Sequence, residues 1–105
     1  MTKNSFLTGI TAIARNVLPK NGHLWLYGSR ARGESHEGSD WDLLILLNKD
    51  KQELSDFDRY SYPLIEQGAE KGENVSAQIY TQNEWQAMSF TPFYKNVERD
   101  KIVLI

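Results

Sequence analysis

Asp40 and Asp42 stand on either side of Trp41, at the head of the apolar run Leu43-Leu44-Ile45-Leu46-Leu47. Side chains alternate along an extended strand, so both carboxylates point to one face and Trp41 to the other. The strand rise sets them roughly 6–7 Å apart, where two negative charges repel unless a cation lies between them. Hard oxygen ligands of this kind suit Mg²⁺, which takes one or two carboxylates and completes its shell with water and substrate phosphates. Upstream, the apolar stretch Leu24-Trp25-Leu26-Tyr27 runs straight into Gly28-Ser29. Glycine lets backbone N–H groups approach an anion closely, and the turn is expected to open a short helix whose N-terminus favours phosphate. A phosphate cradle and metal-binding carboxylates on adjacent strands are the requirements of phosphoryl or nucleotidyl transfer. One aspartate at a strand start is an ordinary turn residue; two flanking a tryptophan on a strand expected to be buried fit that account poorly.

The surrounding elements must hold those two strands. Phe6, Leu7, Ile10, Ile13, Ala14, Val17 and Leu18 recur at three- and four-residue steps, which predicts an amphipathic helix over 4–18. Asn4 or Ser5 would cap it, and Pro19-Lys20-Asn21-Gly22 would stop it. His23 to Tyr27 reads as a strand buried on both faces, and Trp41 to Leu47 as an interior strand with its polar end at the sheet rim. His23, at the solvent end, is given no role. Between the strands, loop 29–39 carries Arg30, Arg32, Glu34, His36 and Glu37. Either arginine is within reach of a triphosphate through charge-assisted hydrogen bonds, while His36 and Glu37 read as plain loop residues.

Residues 50–72 read as helical, with a stripe of Leu54, Phe57, Leu64, Ile65 and Ala69, a kink or restart at Pro63 and an end at Gly72. Tyr60 and Tyr62 read there as packing or surface aromatics. Residues 74–81 alternate: Val75, Ala77 and Ile79 on one side, Ser76, Gln78 and Tyr80 on the other. A short helix is expected over 84–88, and a second from Thr91-Pro92, threonine as cap and proline at the first position, to about Asp100. Ile102-Val103-Leu104-Ile105 would be a terminal strand or a segment docked on a partner. The reading is one α/β domain over 1–105, a small mixed β-sheet with helices packed against it.

Composition narrows the function classes. With 40% hydrophobic and 25% charged residues the chain can form a core, which excludes disorder as the main reading. No apolar run approaches a membrane span, and Met1-Thr2-Lys3-Asn4 lacks the apolar core of a signal peptide. The absence of cysteine excludes disulfides and thiolate metal sites and agrees with a cytoplasmic setting. A net charge of −2 argues against nonspecific grip on a nucleic acid backbone, so nucleic acid and membrane are not expected partners.

Gly28-Ser29, Gly33 and Ser39-Asp40-Trp41-Asp42-Leu43 resemble the G-S…G…S-D-x-D-L signature of the DNA polymerase β-like nucleotidyltransferase superfamily. The match is to its smallest branch, the minimal nucleotidyltransferase (MNT) domains often encoded beside HEPN-domain proteins. The resemblance is strong over residues 24–47 and rests on element order elsewhere. It implies the nucleotidyltransferase fold and a Mg²⁺-dependent transfer of NMP, AMP above all, from NTP to a hydroxyl of a protein or small molecule. Asp40 and Asp42 would be the catalytic metal ligands, with room for a second ion. Gly28, Ser29, Arg30 and Ser39 would bind nucleotide, Gly28 and Ser29 at the β- and γ-phosphates and Arg30 at the leaving pyrophosphate. The implied partner is a HEPN toxin, with the chain as its antitoxin; a homo-oligomer is also allowed.

The pattern breaks in one place. Superfamily members usually present a third acidic residue from a later strand, facing the Asp-x-Asp pair. The matching polar-face positions here are Ser76 and Gln78, and Glu73 lies just before the strand. Two carboxylates underfill a two-metal site and leave the acceptor without its base. Two functions therefore stand side by side: an enzyme whose site Glu73 or a partner's acid completes, and a weak or inactive nucleotide-binding subunit acting as an interaction module. Larger relatives carry a further domain for the acceptor; no residues are left for one here, so the acceptor is expected on another molecule.

Overall fold

The computed structural model describes residues 3–105, with side chains from Ser5 onward. The chain forms a four-stranded mixed sheet in the order β3-β2-β1-β4. Its strands are β1 (His23–Tyr27), β2 (Trp41–Leu47), β3 (Val75–Thr81) and β4 (Ile102–Val103). β1 runs antiparallel to both β2 and β4, whereas β3 runs parallel to β2. A parallel neighbour needs a long crossover, and residues 48–74 supply it.

Each face of the sheet has its own core. Leu24, Leu26, Trp41, Leu43 and Ile45 face helix α1 (Lys3–Val17), which lays down Phe6, Ile10 and Ala14 at four-residue steps. The Phe6 and Trp41 rings meet at 4.7 Å, a contact worth about 0.5–1.5 kcal/mol beyond the burial itself. The opposite face buries Trp25, Leu44 and Leu46 against Trp85 and Val97. Those two come from α4 (Gln82–Ala87) and α5 (Pro92–Asp100). Asp42, in register with Tyr27 and Ser76, belongs to this second face, at the end of the sheet beyond its core.

Local sequence explains most element ends. Thr81 and Glu84 form a reciprocal capping box that starts α4. Thr91 Oγ1 accepts the Tyr94 N–H at 3.1 Å, with Pro92 behind it, as expected for α5. For α1, Asn4 and the residues before it lie outside the described side chains, and the helix already runs at Ser5. The four C-terminal residues do contribute a strand: β4 pairs with β1, and Leu24 exchanges hydrogen bonds with Leu104 and Ile105.

The crossover departs from expectation. Helix opens at Ser55-Asp56, widens into a π-helical turn, Phe57–Ser61, and continues as α3 (Tyr62–Glu70), with Pro63 in its first turn. Leu54 is fully exposed and Phe57 half-exposed, while Tyr60, Ser61, Leu64 and Gly68 face inward. Widening the helix by one residue rotates the stripe, so a 3.6-residue period misassigns its first turn. Ser61 then donates to the Ala77 carbonyl at 2.9 Å, and Gly68 lies so close to Val75 that a side chain there would collide with β3.

Candidate active site

The turn after β1 has backbone geometry that few residues tolerate. Gly28 has φ 76° and ψ −160°, a region essentially reserved for glycine. A Cβ built there would collide with the Asp42 carboxylate and stand 3.2 Å from its Cγ. The main chain at Gly28 thus presses against the first carboxylate of β2, with no room between them for a side chain. From Gly28 the chain enters α2 (Ser29–Arg32), a single helical turn that Gly33 closes in the left-handed conformation.

Asp42 is half-buried on the face shared with Tyr27 and Ser76. Burial pushes its carboxyl above the ordinary carboxylate range, the charge of Asp40 adds to this, and Arg32 partly opposes it. The mutual repulsion expected of the pair is thus visible in this electrostatic balance. Burial also raises the Tyr27 phenol to about 12, with the charge of Asp42 next in effect and then Tyr80, so this hydroxyl stays protonated. Two oxygen-bearing carboxylates, one already unfavourably ionised, form a donor set that fits Mg²⁺. Among the described residues no group of three or more His, Asp or Glu side chains is gathered to hold a metal. A second ion would therefore lean on water, phosphate or a partner's oxygens.

The two loop arginines part company. Arg30 lies across the Trp41 ring at 4.1 Å, donates to the Ser39 carbonyl at 2.8 Å and pairs with Glu73 at 3.7 Å. Its side chain is 10% exposed, and it sits on the Trp41 face, away from Asp42. Arg32 stays on the carboxylate side, bridging Glu34 at 2.6 Å and Asp100 at 3.2 Å. Ser39, expected at the nucleotide, spends its hydroxyl on the His36 N–H at 2.9 Å and so closes the loop turn. His36 and Glu37 remain loop residues, as expected, the His36 ring meeting the Glu37 carbonyl.

Glu73, the expected substitute for a third acid, is turned away. Its carboxylate accepts the Trp41 Nε1–H at 3.0 Å. Trp41 points opposite to Asp42 by strand alternation, so whatever holds Trp41 cannot also face the pair. Across from Asp42 on β3 stands Ser76, and Gln78 lies exposed on the same face. Glu73→Gln is accordingly expected to leave Mg²⁺-dependent ATP binding unchanged within about twofold and to cost under about 1 kcal/mol of stability. Calorimetric titration and thermal unfolding of the variant check both halves.

Residues that pattern reading of the chain did not assign complete the site's surroundings. Tyr27 and Phe93 meet edge to face at 5.6 Å. With Arg32, Asn96 and Asp100 they border a cleft beside Gly28. The only signal in the chain for this was the three- and four-residue spacing of Phe93, Asn96, Val97 and Asp100, which puts them along one side of a helix.

No curated protein matches the chain. Among the solved structures that share its fold are two toxin–antitoxin structures. One is a chain of a toxin–antitoxin crystal structure with AMP-PNP, at TM-score 0.62 and 16% identity, covering 99% of this chain and 73% of that one. The other comes from a tri-AMPylated Shewanella oneidensis HEPN toxin in complex with MNT antitoxin, at TM-score 0.62 and 14% identity, covering 99% and 72%. A family model described as nucleotidyltransferase domain matches residues 10–104, a span that holds both carboxylates, the Gly28 turn and every strand of the sheet. By that match over nearly its whole length, the chain belongs to the nucleotidyltransferase domain family.

Proposed function

We propose that the protein transfers a nucleoside monophosphate, AMP by preference, from a triphosphate to a hydroxyl on a partner protein in the cytoplasm, the partner being a HEPN-domain toxin. The observation carrying this reading is the Gly28 main chain lodged against Asp42, which joins an anion-approachable turn to a metal-ligating carboxylate. Gly28 and Ser29 hold the β- and γ-phosphates. Arg32, on the carboxylate side, takes the leaving pyrophosphate in place of Arg30, which is committed to Trp41 and Ser39. Asp40 and Asp42 hold Mg²⁺, which supplies charge neutralisation to the phosphates. What the chain contributes is positioning and preorganised charge. The nearby complexes support the choice of partner, since one contains a HEPN toxin carrying AMP groups.

The test is incubation with labelled ATP and Mg²⁺, with and without a co-purified HEPN partner, for the native chain and Asp40→Asn. Label on the partner that vanishes in the variant supports the transfer. No label, with the complex intact, would leave only the second reading.

That second reading, a nucleotide-binding interaction subunit with weak catalysis, is favoured by Ser76 standing opposite Asp42 where an acid would complete the site. It makes its own prediction. A carboxylate restored on this face, by Ser76→Asp or Gln78→Asp, is expected to tighten Mg²⁺-dependent ATP binding roughly tenfold in at least one variant. Weaker or unchanged binding in both would show that the acid is supplied from elsewhere.

A further inference from the structure

Asp40 and Asp42 are held by different means. Asp42 lies within the ladder, paired with Tyr27 on one side and Ser76 on the other. Asp40 is exposed and stands just ahead of β2, where no strand pairing reaches it. Its place therefore depends on its two neighbours, Ser39 and Trp41, and one side chain grips both. Arg30 donates from Nη2 to the Ser39 carbonyl at 2.8 Å and from Nε to the same oxygen at 3.3 Å. Its guanidinium also covers the buried Trp41 ring at 4.1 Å. The Ser39 carbonyl belongs to the planar peptide unit that ends at the Asp40 Cα, so holding it sets the point from which that carboxylate departs.

The backbone of Arg30 is anchored at the phosphate turn. Arg30 is the second residue of α2, and the N–H groups of Ala31 and Arg32, which follow it, both return to the Gly28 carbonyl, at 3.0 and 3.1 Å. We infer that Arg30 is the positioning residue for Asp40, setting that carboxylate relative to the Gly28-Ser29 turn from the Trp41 face of the sheet. The inference rests on the proposed Mg²⁺ at the carboxylate pair and deepens it. Arg30 touches neither the ion nor the triphosphate; it acts on the geometry in which the two acids meet the ion. Only a planar guanidinium can stack on a ring and donate two N–H groups from one edge, so lysine does not replace it. Mg²⁺ demands near-ideal octahedral geometry, whereas Ca²⁺ accepts a flexible shell. Displacing one carboxylate therefore harms Mg²⁺ more than Ca²⁺, a signature that a merely structural role for Arg30 would not produce.

Calorimetric titration of ATP into the full chain, with Mg²⁺ or with Ca²⁺, tests this for the native protein, Arg30→Lys and Arg30→Met. Lysine keeps a cation and loses the fork, methionine keeps only an apolar stem, and thermal unfolding checks that each variant folds. In both, ATP affinity is expected to fall about tenfold or more with Mg²⁺ and less than about threefold with Ca²⁺. Glu73→Gln removes the ion pair with Arg30 but not the bonds to Ser39, and should keep the native ratio. A second readout needs no metal. Hydrogen exchange of the Ser39 and Trp41 amides, bonded to the His36 and Asn74 carbonyls, should quicken about tenfold in Arg30→Lys. Equal losses with both ions, no loss with either, or exchange at the native rate would overturn the role of Arg30. Native ATP binding indifferent to divalent cations would instead sink the carboxylate-pair reading itself, and faster exchange in that case would make Arg30 a brace of the fold alone.

Discussion

Gly28→Ala is expected to lower the melting temperature sharply and to cripple nucleotide binding at the same time. The backbone region at φ 76°, ψ −160° costs a residue with a side chain about 1–3 kcal/mol. For a domain of this size that is a drop of roughly 4–24 °C. Strain is only half of the effect. The new methyl would occupy the position of the Asp42 carboxylate, so either the turn or β2 must move. A displacement of about 1 Å at a reacting centre can cost roughly 10²-fold in rate. Gly38→Ala is the control: φ is 88° there, but nothing lies within 4 Å of an added Cβ. That variant should lose stability and keep its nucleotide affinity. Thermal unfolding and ATP titration of the two proteins separate strain from collision; equal binding losses would remove Gly28 from the site.

Asp42→Asn should act in the opposite sense on stability while abolishing function. Asp42 is held above the ordinary carboxylate range by burial and by Asp40. An acid raised on folding favours its protonated form in the native state, so its contribution is most favourable at low pH. That contribution is lost as pH rises through the raised value. At neutral pH the ionised carboxylate therefore costs stability, and asparagine removes the cost. The variant is expected to melt at or above the native temperature at pH 7, with the gap closing as pH falls through the carboxylate range. Transfer, which needs the charge, should fall roughly 10²–10³-fold, since neutralisation of phosphate charge is worth several kcal/mol. A variant that melted well below the native protein at pH 7 would mean that Asp42 is a structural residue.

Together the two substitutions separate the demands on this corner of the fold. Glycine is required because the main chain must pass where a side chain would be, and aspartate is kept although its charge is costly to the empty protein. Natural sequences tolerate such local conflicts mainly where function requires them.

Much of this was legible in the chain. Alternation put Asp42 opposite Trp41 (Asp40 lies just before β2, which begins at Trp41), the apolar runs marked the strands of the centre, and Thr91-Pro92 announced α5. These are consequences of bonded geometry and neighbouring residues, which a linear reading contains. Tertiary structure decided the rest, because distant segments compete for the same side chain. Arg30 and Arg32 are equivalent in sequence; only the meeting of loop 29–39 with Trp41 and Glu73 assigns Arg30 to the far face, and only the end of α5 draws Arg32 toward Asp100. Glu73 was open as a third acid until strand pairing set it beneath the Trp41 indole. Residue types and spacing determined which chemistry the chain can attempt. Packing determined which face each arginine and each acid takes, since those positions depend on pairings made across the sheet.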